Sequence, residues 1–281
     1  MGLTVKPVEI TKINTGESGV VPDLVAVEEP LEIRIGFGAM DERRQKSLSV
    51  TMRTPGHDYE LATGFLITEG IIDAFGQVES IKYCEDVGRQ EDRENVVRLE
   101  LKPEVNFDLK KLQRNFYITS SCGVCGKSSI EAVHVSCKPV QDNIRINQPV
   151  VYGLSEKLRK AQQIFEHTGG LHAVGLFDLK GELLLAREDV GRHNAMDKVV
   201  GASLFKGEIP LSNHIIMVSG RASFELVQKA LRAGAPIMAA VGAPSSLAIS
   251  LANDFGMTLL GFVREGGFNI YSGAARLALS E

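Results

Sequence analysis

Two cysteines separated by two residues lie in the segment of the chain that is best suited to chemistry. Residues 119–129 have the sequence Thr-Ser-Ser-Cys-Gly-Val-Cys-Gly-Lys-Ser-Ser, so Cys122 and Cys125 have polar, glycine-rich surroundings. A buried structural cysteine usually has apolar neighbours, and this composition therefore predicts two accessible thiols. Lys127 and a helix predicted to begin near Ser128 both favour the thiolate, which is the nucleophilic form. We predict that Cys122 and Cys125 are catalytic.

Three uses of this cysteine pair are open. Carriage of sulfur as a persulfide needs an exposed loop, and Gly123 and Gly126 give the backbone the required freedom. A structural zinc site is the second use, because His134 and Cys137 follow the pair, although a predicted helix leading into His134 makes closure awkward. Dithiol–disulfide exchange of the thioredoxin type fits less well, because the chain has no tryptophan and the pair precedes the alternating strands and helices.

A second region of the sequence is suited to binding anions. Apolar strands are predicted at 214–218, 237–241 and 257–263, with amphipathic helices between them, which indicates a parallel βαβαβ unit. The loops after parallel strands share one edge of the sheet, where helix N-termini present free N–H groups. We predict phosphate binding by the loops that contain arginine and glycine, namely Ser219, Gly220 and Arg221, and Arg264, Glu265, Gly266 and Gly267.

The elements before the cysteine pair follow a different pattern. Apolar and polar residues alternate between residues 24 and 52 and again at 97–101, which predicts half-buried strands. A helix with Leu61 and Leu66 on one face is predicted to end at Gly70. A polar stretch with prolines at 138–149 places a domain boundary near residue 140. The sequence therefore predicts a strand-rich α+β domain over 1–140, ending in the cysteine loop, and an α/β domain over 141–281.

The composition limits the classes of function. The 281 residues are 44% hydrophobic with a net charge of −4, so a globular protein without a general affinity for nucleic acid is expected. The first residues lack a secretion signal, and no apolar run approaches the roughly 20 residues that cross a bilayer. We expect a soluble cytoplasmic protein without a membrane partner. Four cysteines are too few for a disulfide scaffold.

The ordered set of motifs resembles the formate dehydrogenase accessory sulfurtransferase family, FdhD. The resemblance covers most of the chain and rests on these segments: Thr54-Pro55-Gly56, Glu60-Leu61-Ala62, Gly64-Phe65-Leu66, Glu69-Gly70-Ile71-Ile72, Ser121-Cys122-Gly123-Val124-Cys125-Gly126, Gly169-Gly170, His172-Ala173, Glu188-Asp189-Val190-Gly191-Arg192-His193-Asn194-Ala195, Asp197-Lys198, Ser219-Gly220-Arg221, Phe262-Val263-Arg264 and Asn269-Ile270-Tyr271.

The resemblance implies an activity and a set of partners. Sulfur is expected to arrive from a cysteine desulfurase and to pass to the molybdenum of bis(molybdopterin guanine dinucleotide) before this cofactor enters formate dehydrogenase. Cys122 is then the persulfide carrier, and Cys125 the resolving or relay thiol. The family's cofactor segment corresponds to Phe262, Val263, Arg264, Glu265, Gly266 and Gly267. The resemblance also implies a homodimer, a C-terminal domain similar to the cytidine deaminase fold, and no permanent metal.

Other polar residues receive structural interpretations. Asp189 is expected to cap a helix, with Arg192 paired to Asp197. An alternative interpretation is that Arg192 and His193 face the cofactor or the partner subunit of a dimer. His172 is expected to be a half-buried histidine at the start of a strand. Cys84 and Cys137 are expected to pack in the core, and the segment 85–95 to be a solvated loop.

Overall fold

The computed structural model describes residues 3–84, 90–105, 137–140 and 143–278. The chain begins with an antiparallel hairpin of β1 (Val5–Asn14) and β2 (Glu17–Ala26), which form a sheet of their own. Most residues of both strands are exposed on both faces of the hairpin. A sequence without a buried face carries no period-two hydrophobic signal, and for this reason the alternation predicted for residues 24–52 overlaps only the last three residues of the hairpin.

A four-stranded sheet follows, and it confirms the strands predicted in the first part of the chain. Its order is β4-β3-β6-β5, formed by β3 (Glu29–Phe37), β4 (Arg44–Arg53), β5 (Val78–Tyr83) and β6 (Val96–Leu101). Leu31, Ile33 and Ile35 of β3 are buried on one face, as period two requires. Helix α1 (Asp58–Thr68) ends just before Gly70, as predicted.

The expectation of a solvated loop at 85–95 is partly wrong. Residues 90–95 form a 3-10 helix, and another short 3-10 helix spans Phe75–Gln77. The buried guanidinium of Arg53 donates to the main-chain oxygen of Glu94 and to Asn95 Oδ1, at 3.2 and 3.0 Å. These hydrogen bonds order the end of the segment against the protein.

The later part of the chain forms a mixed six-stranded sheet with the order β13-β12-β11-β10-β8-β9. Its strands are β8 (His172–Asp178), β9 (Leu183–Asp189), β10 (His214–Val218), β11 (Ile237–Ala240), β12 (Thr258–Arg264) and β13 (Gly267–Ser272). Strands β10, β11 and β12 are parallel neighbours, which confirms the predicted βαβαβ unit. A further parallel pair joins β7 (Ile146–Asn147) to β14 (Leu277–Ala278).

Helices cover both faces of this sheet. On one face lie α5 (Arg192–Phe205), α6 (Phe224–Arg232) and α7 (Ser246–Asp254), in one apolar cluster with Ile216 and Val218 of β10. Ile215 and Met217, which alternate with them along β10, belong to a second apolar cluster on the other face of the sheet. The helices at residues 148–168 are α2 (Gln148–Tyr152), α3 (Leu154–Ala161) and α4 (Gln163–Thr168), and Leu154 and Leu158 of α3 belong to that second cluster.

Helix α1 packs against α5 within the first of these clusters. Leu61 and Leu66 of α1 share it with Val199 and Val200 of α5. Buried residues from before and after position 140 therefore form one continuous apolar region. The division into domains at 1–140 and 141–281 stays a prediction.

Candidate functional site

Four strands end at one edge of the six-stranded sheet. Strands β9, β10, β11 and β12 point the same way, since β8 is antiparallel to both β9 and β10. We call the ends of these strands and the loops after them the carboxyl edge. It consists of residues 189–192, 219–223, 241–245 and 262–267. Helices α5, α6 and α7 all begin here. Among the described residues, no side chain caps the N-termini of α5 and α6, whereas Ser245 Oγ accepts a hydrogen bond from the N–H of Ala248 at the start of α7. All three N-termini direct partial positive charge to the same region.

Main-chain hydrogen bonds join the predicted binding loops into one surface. The N–H of Gly242 donates to the oxygen of Gly220 at 2.9 Å, and the N–H of Phe262 donates to the oxygen of Gly242 at 3.3 Å. A Cβ atom at Gly242 would lie 3.2 Å from both Cα of Arg221 and the main-chain oxygen of Gly220, so a larger residue would push these two loops apart. The structure thus brings Ser219–Arg221 and Phe262–Gly267 together through the middle loop at residues 241–245, which shares the predicted edge but was not among the predicted binding residues.

Phe262 has an uncommon conformation at the end of β12. Its φ is +53°, and its side chain is 44% exposed beside a β-bulge between Gly261 and Arg264. A left-handed conformation costs a residue other than glycine about 1–3 kcal/mol, and such strain is frequent at binding sites. The exposed ring offers a flat apolar surface next to charged residues, which is what a stacked heteroaromatic ring requires.

The other predicted residues of these loops differ in what they offer a ligand. Arg264, Glu265 and Gly266 are exposed, whereas the side chain of Val263 is buried in the core. The hydroxyl oxygen of Ser219 accepts a hydrogen bond from the N–H of Ala173 at 2.9 Å, which fixes the start of β8 against the end of β10. The Ser219 hydroxyl therefore stabilises the carboxyl edge through a hydrogen bond inside the protein.

A polar cluster at the end of β9 extends the edge on its other side. It consists of His172, Arg192, His193 and Glu225. His193 Nε2 lies 2.8 Å from Glu225 Oε2. Burial lowers the pKa of the His172 imidazole below its usual value, and the charges of Arg192 and His193 lower it further. Burial raises the pKa of the Glu225 carboxyl, but the hydrogen bond and charge of His193 and the charges of Lys229 and Arg192 together outweigh it and hold that pKa below its usual value.

The expected pairing of Arg192 with Asp197 is wrong. Asp197 lies 2.9 Å from Lys229 Nζ and accepts a hydrogen bond from Thr68. Residues five apart on a helix point about 140° away from each other, because successive residues turn by about 100°. Arg192 is therefore left at the carboxyl edge, while Asp197 points into the core.

A fully buried ion pair lies beneath the polar cluster. Lys198 Nζ is 2.6 Å from Asp189 Oδ2, and both side chains are at most 1% exposed. Asp189 also accepts hydrogen bonds from the N–H of Gly191 and from Asn194 Nδ2, at 2.8 and 2.9 Å, and Lys198 donates to the main-chain oxygen of Thr54. Asp189 thus fixes the turn into α5 through the N–H of Gly191 and does not cap the helix at its own position. The Thr54-Pro55-Gly56 turn is held against the same edge.

The predicted catalytic pair, Cys122 and Cys125, lies outside the described residues, as does His134. Cys84 is buried, and Cys137 packs against the core with its Sγ 3.9 Å from the main-chain oxygen of Gln228. Both are packing residues, as expected. Within the part of the chain that the structure describes, no three His, Cys, Asp or Glu side chains are placed to hold a metal ion. The described helices include none that is long and apolar enough to span a membrane.

The fold and the carboxyl edge define a mixed α/β protein whose candidate binding loops gather at the ends of parallel strands. Comparison with known families is more specific. Residues 26–278 match the model of the FdhD/NarQ family, and the chain belongs to this family.

Similar proteins extend over nearly the whole chain. The chain is 48% identical over 271 residues to the sulfur carrier protein FdhD of Mycolicibacterium paratuberculosis, covering 95% of this chain and 97% of that protein. It is 45% identical to the protein of the same name from Streptomyces avermitilis, covering 99% and 98%, and 40% identical to that of Saccharolobus solfataricus, covering 99% and 100%. A crystal structure from Desulfotalea psychrophila, described as a formate dehydrogenase accessory protein, matches with a TM-score of 0.75 at 23% identity, covering 98% of this chain and 100% of that one. This likeness shows the shared fold.

Proposed function

We propose that this protein carries sulfur for the maturation of formate dehydrogenase. The observation that carries the proposal is the match, along nearly the full chain, to proteins named sulfur carrier protein FdhD. The fold likeness to a formate dehydrogenase accessory protein agrees with it. Cys122 and Cys125 supply thiols in a glycine-rich segment that is suited to such transfer.

The proposed transfer takes two covalent steps. The Cys122 thiolate attacks the outer sulfur of a persulfide on a cysteine desulfurase, so that one S–S bond forms while another breaks and the desulfurase thiolate leaves. The Cys125 thiolate then attacks Cys122 Sγ and releases the outer sulfur as hydrosulfide, leaving a Cys122–Cys125 disulfide. The two electrons that reduce this sulfur come from the cysteine pair. A cellular dithiol reductant restores both thiols before the next cycle.

The recipient of the sulfur is proposed to bind at the carboxyl edge. This substrate is the molybdenum cofactor in its bis(molybdopterin guanine dinucleotide) form, and its phosphate groups suit the three helix N-termini and the exposed Arg221 and Arg264. The exposed ring of Phe262 suits stacking on a guanine or pterin ring. We also propose a cytoplasmic homodimer, with the helix and sheet layers of the later part arranged as in the cytidine deaminase fold.

Formate dehydrogenase activity tests the function in cells. In a strain whose own gene for this protein is deleted, the wild-type chain should restore activity, and Cys122→Ala should not. Cys84→Ala and Cys137→Ala are the matched controls, because each removes one thiol from the core, and both should restore activity. Full restoration by Cys122→Ala would contradict sulfur carriage and would favour a cofactor-binding chaperone. Stoichiometric zinc in the purified protein would favour a metal-stabilised interaction protein.

A further inference from the structure

The polar cluster at the end of β9 contains hydrogen-bond donors that have no partner among the described residues. Arg192 forms no ion pair with any residue in the described part of the chain, and its Nε is shielded from solvent without a hydrogen-bond partner there. Two carboxylates beside Arg192 have partners of their own, since Asp189 pairs with Lys198 and Glu225 with His193, although the charge of Arg192 also acts on Glu225. An anion from outside the chain is the natural partner for this guanidinium.

The surroundings of Arg192 are arranged to receive such an anion. His172 pairs in register with Asp189, three residues before Arg192, and the charges of Arg192 and His193 both act on the His172 imidazole. Ser223 Oγ, at the start of α6, is likewise shielded and has no partner among the residues described. A guanidinium, two imidazoles and a hydroxyl supply the donors that recognise phosphate oxygens.

The cluster is continuous with the predicted binding loops. A Cβ atom placed on Gly220 would lie 3.5 Å from His172 Nδ1, so the imidazole lies beside the loop Ser219–Arg221. Three strand spacings separate β8 from β12 in the sheet order, which is about 14 Å. The cluster and the segment 262–267 therefore contact different parts of any ligand that lies along the edge.

We propose that Arg192, His172 and His193 form a phosphate subsite where β8 starts and β9 ends, with Arg192 as its central residue. The inference rests on the proposed function, because the guanine dinucleotide parts of the substrate carry the phosphate. It adds binding residues that lie on the opposite side of Ser219–Arg221 from Phe262–Gly267.

Calorimetric titration of the full-length protein with GDP and with inorganic diphosphate tests this subsite. Arg192→Gln should weaken the binding of both ligands at least tenfold, as expected from the loss of charge-assisted hydrogen bonds, and Arg192→Lys should recover part of the affinity. Lys206→Gln is the matched control, because it removes the same charge from the exposed C-terminal end of α5, and it should bind both ligands like the wild type. His193→Gln provides a second variant of the subsite and should also weaken binding.

The outcomes separate the subsite from the wider proposal. If a folded Arg192→Gln protein binds GDP with wild-type affinity while Arg264→Ala binds it more weakly, the subsite is overturned. The proposal that the cofactor binds at the carboxyl edge is then kept. Weaker GDP binding in Arg192→Gln with unchanged binding of diphosphate shows that Arg192 acts on the nucleoside, and this also overturns the subsite. If the wild-type protein binds neither ligand, both the subsite and the proposed cofactor binding at the carboxyl edge are overturned. The cysteine variants test sulfur carriage separately.

Discussion

Gly64 of α1 and Gly201 of α5 face each other where the two helices cross. A methyl group on Gly64 would overlap the main-chain oxygen of Asp197, and one on Gly201 would overlap the main-chain oxygen of Glu60. Because both obstacles are backbone atoms, no side-chain rotation can relieve the overlap. The two helices approach this closely only because neither residue has a side chain.

We expect Gly201→Ala to destabilise the fold by at least about 2 kcal/mol, because the helices must move apart and lose packing in the core. The free energy of unfolding in urea measures this effect. Gly153→Ala is the control, since no atom lies within 4 Å of the position its Cβ would take, and its stability should stay within about 1 kcal/mol of the wild type. Equal stability of the two variants would show that the crossing is not tight.

Lys198→Met should destabilise the protein by about 3–5 kcal/mol, because it leaves the carboxylate of Asp189 buried without a counter-charge. Unfolding in denaturant is again the measurement. Lys160→Met changes charge and shape in the same way, but Lys160 pairs with Glu156 on the exposed surface, and its loss should leave the free energy of unfolding close to that of the wild type. Similar losses in the two variants would refute the structural importance of the buried pair.

The carboxyl of Glu60 should make stability depend on pH under acidic conditions. Burial raises the pKa of this group, but the contacts with Arg187 and His57 outweigh it and lower the pKa to about 2. The stabilisation is therefore complete above the usual value of 4.5 and is lost as the pH falls from about 4.5 to 2, with a size of at most about 3 kcal/mol because solvent screens this half-buried group. In Glu60→Gln the unfolding free energy should fall less steeply over this range, whereas the exposed Glu79→Gln should keep the wild-type slope.

The substitutions Phe262→Gly and Phe262→Ala should separate backbone strain from ligand binding. Both remove the aromatic ring, and each should weaken the binding of guanine nucleotides about tenfold if the ring stacks on the base. Only glycine relieves the left-handed backbone, so Phe262→Gly should be about 1 kcal/mol more stable than Phe262→Ala, the reverse of the usual order. Thermal unfolding and nucleotide titration of both variants check this, and an alanine variant as stable as the glycine variant would argue against strain at this position.

The sequence predicted those elements whose signal is local. Strand β10 has the predicted bounds, His214–Val218, because a short apolar run between polar turns identifies a buried strand by itself. The positions of α6 and α7 follow equally from apolar residues at helical spacing and from the glycines that end them.

Long-range relationships could not be predicted in this way. The partners of Asp189 and Asp197 depend on how α5 and α6 are oriented in the fold, and spacing along one helix gave the wrong pairing for Arg192. The conformation of Phe262 was equally inaccessible, because aromatic residues rarely adopt positive φ. The sequence places Arg192 and His193 at a turn from strand to helix, but it does not show that this strand, β9, pairs with β8 and ends at the same edge.

The capture of a sulfur atom by Cys122 is the central claim, and intact mass measurement tests it most directly. After incubation of the reduced protein with cysteine and a cysteine desulfurase, we expect a mass gain of one sulfur atom that a thiol reductant removes and that peptide mapping places on Cys122. Cys122→Ala should gain no such mass, whereas Cys84→Ala should gain it like the wild type. A sulfur adduct that persists in Cys122→Ala, or its absence from the wild-type protein, would contradict the account.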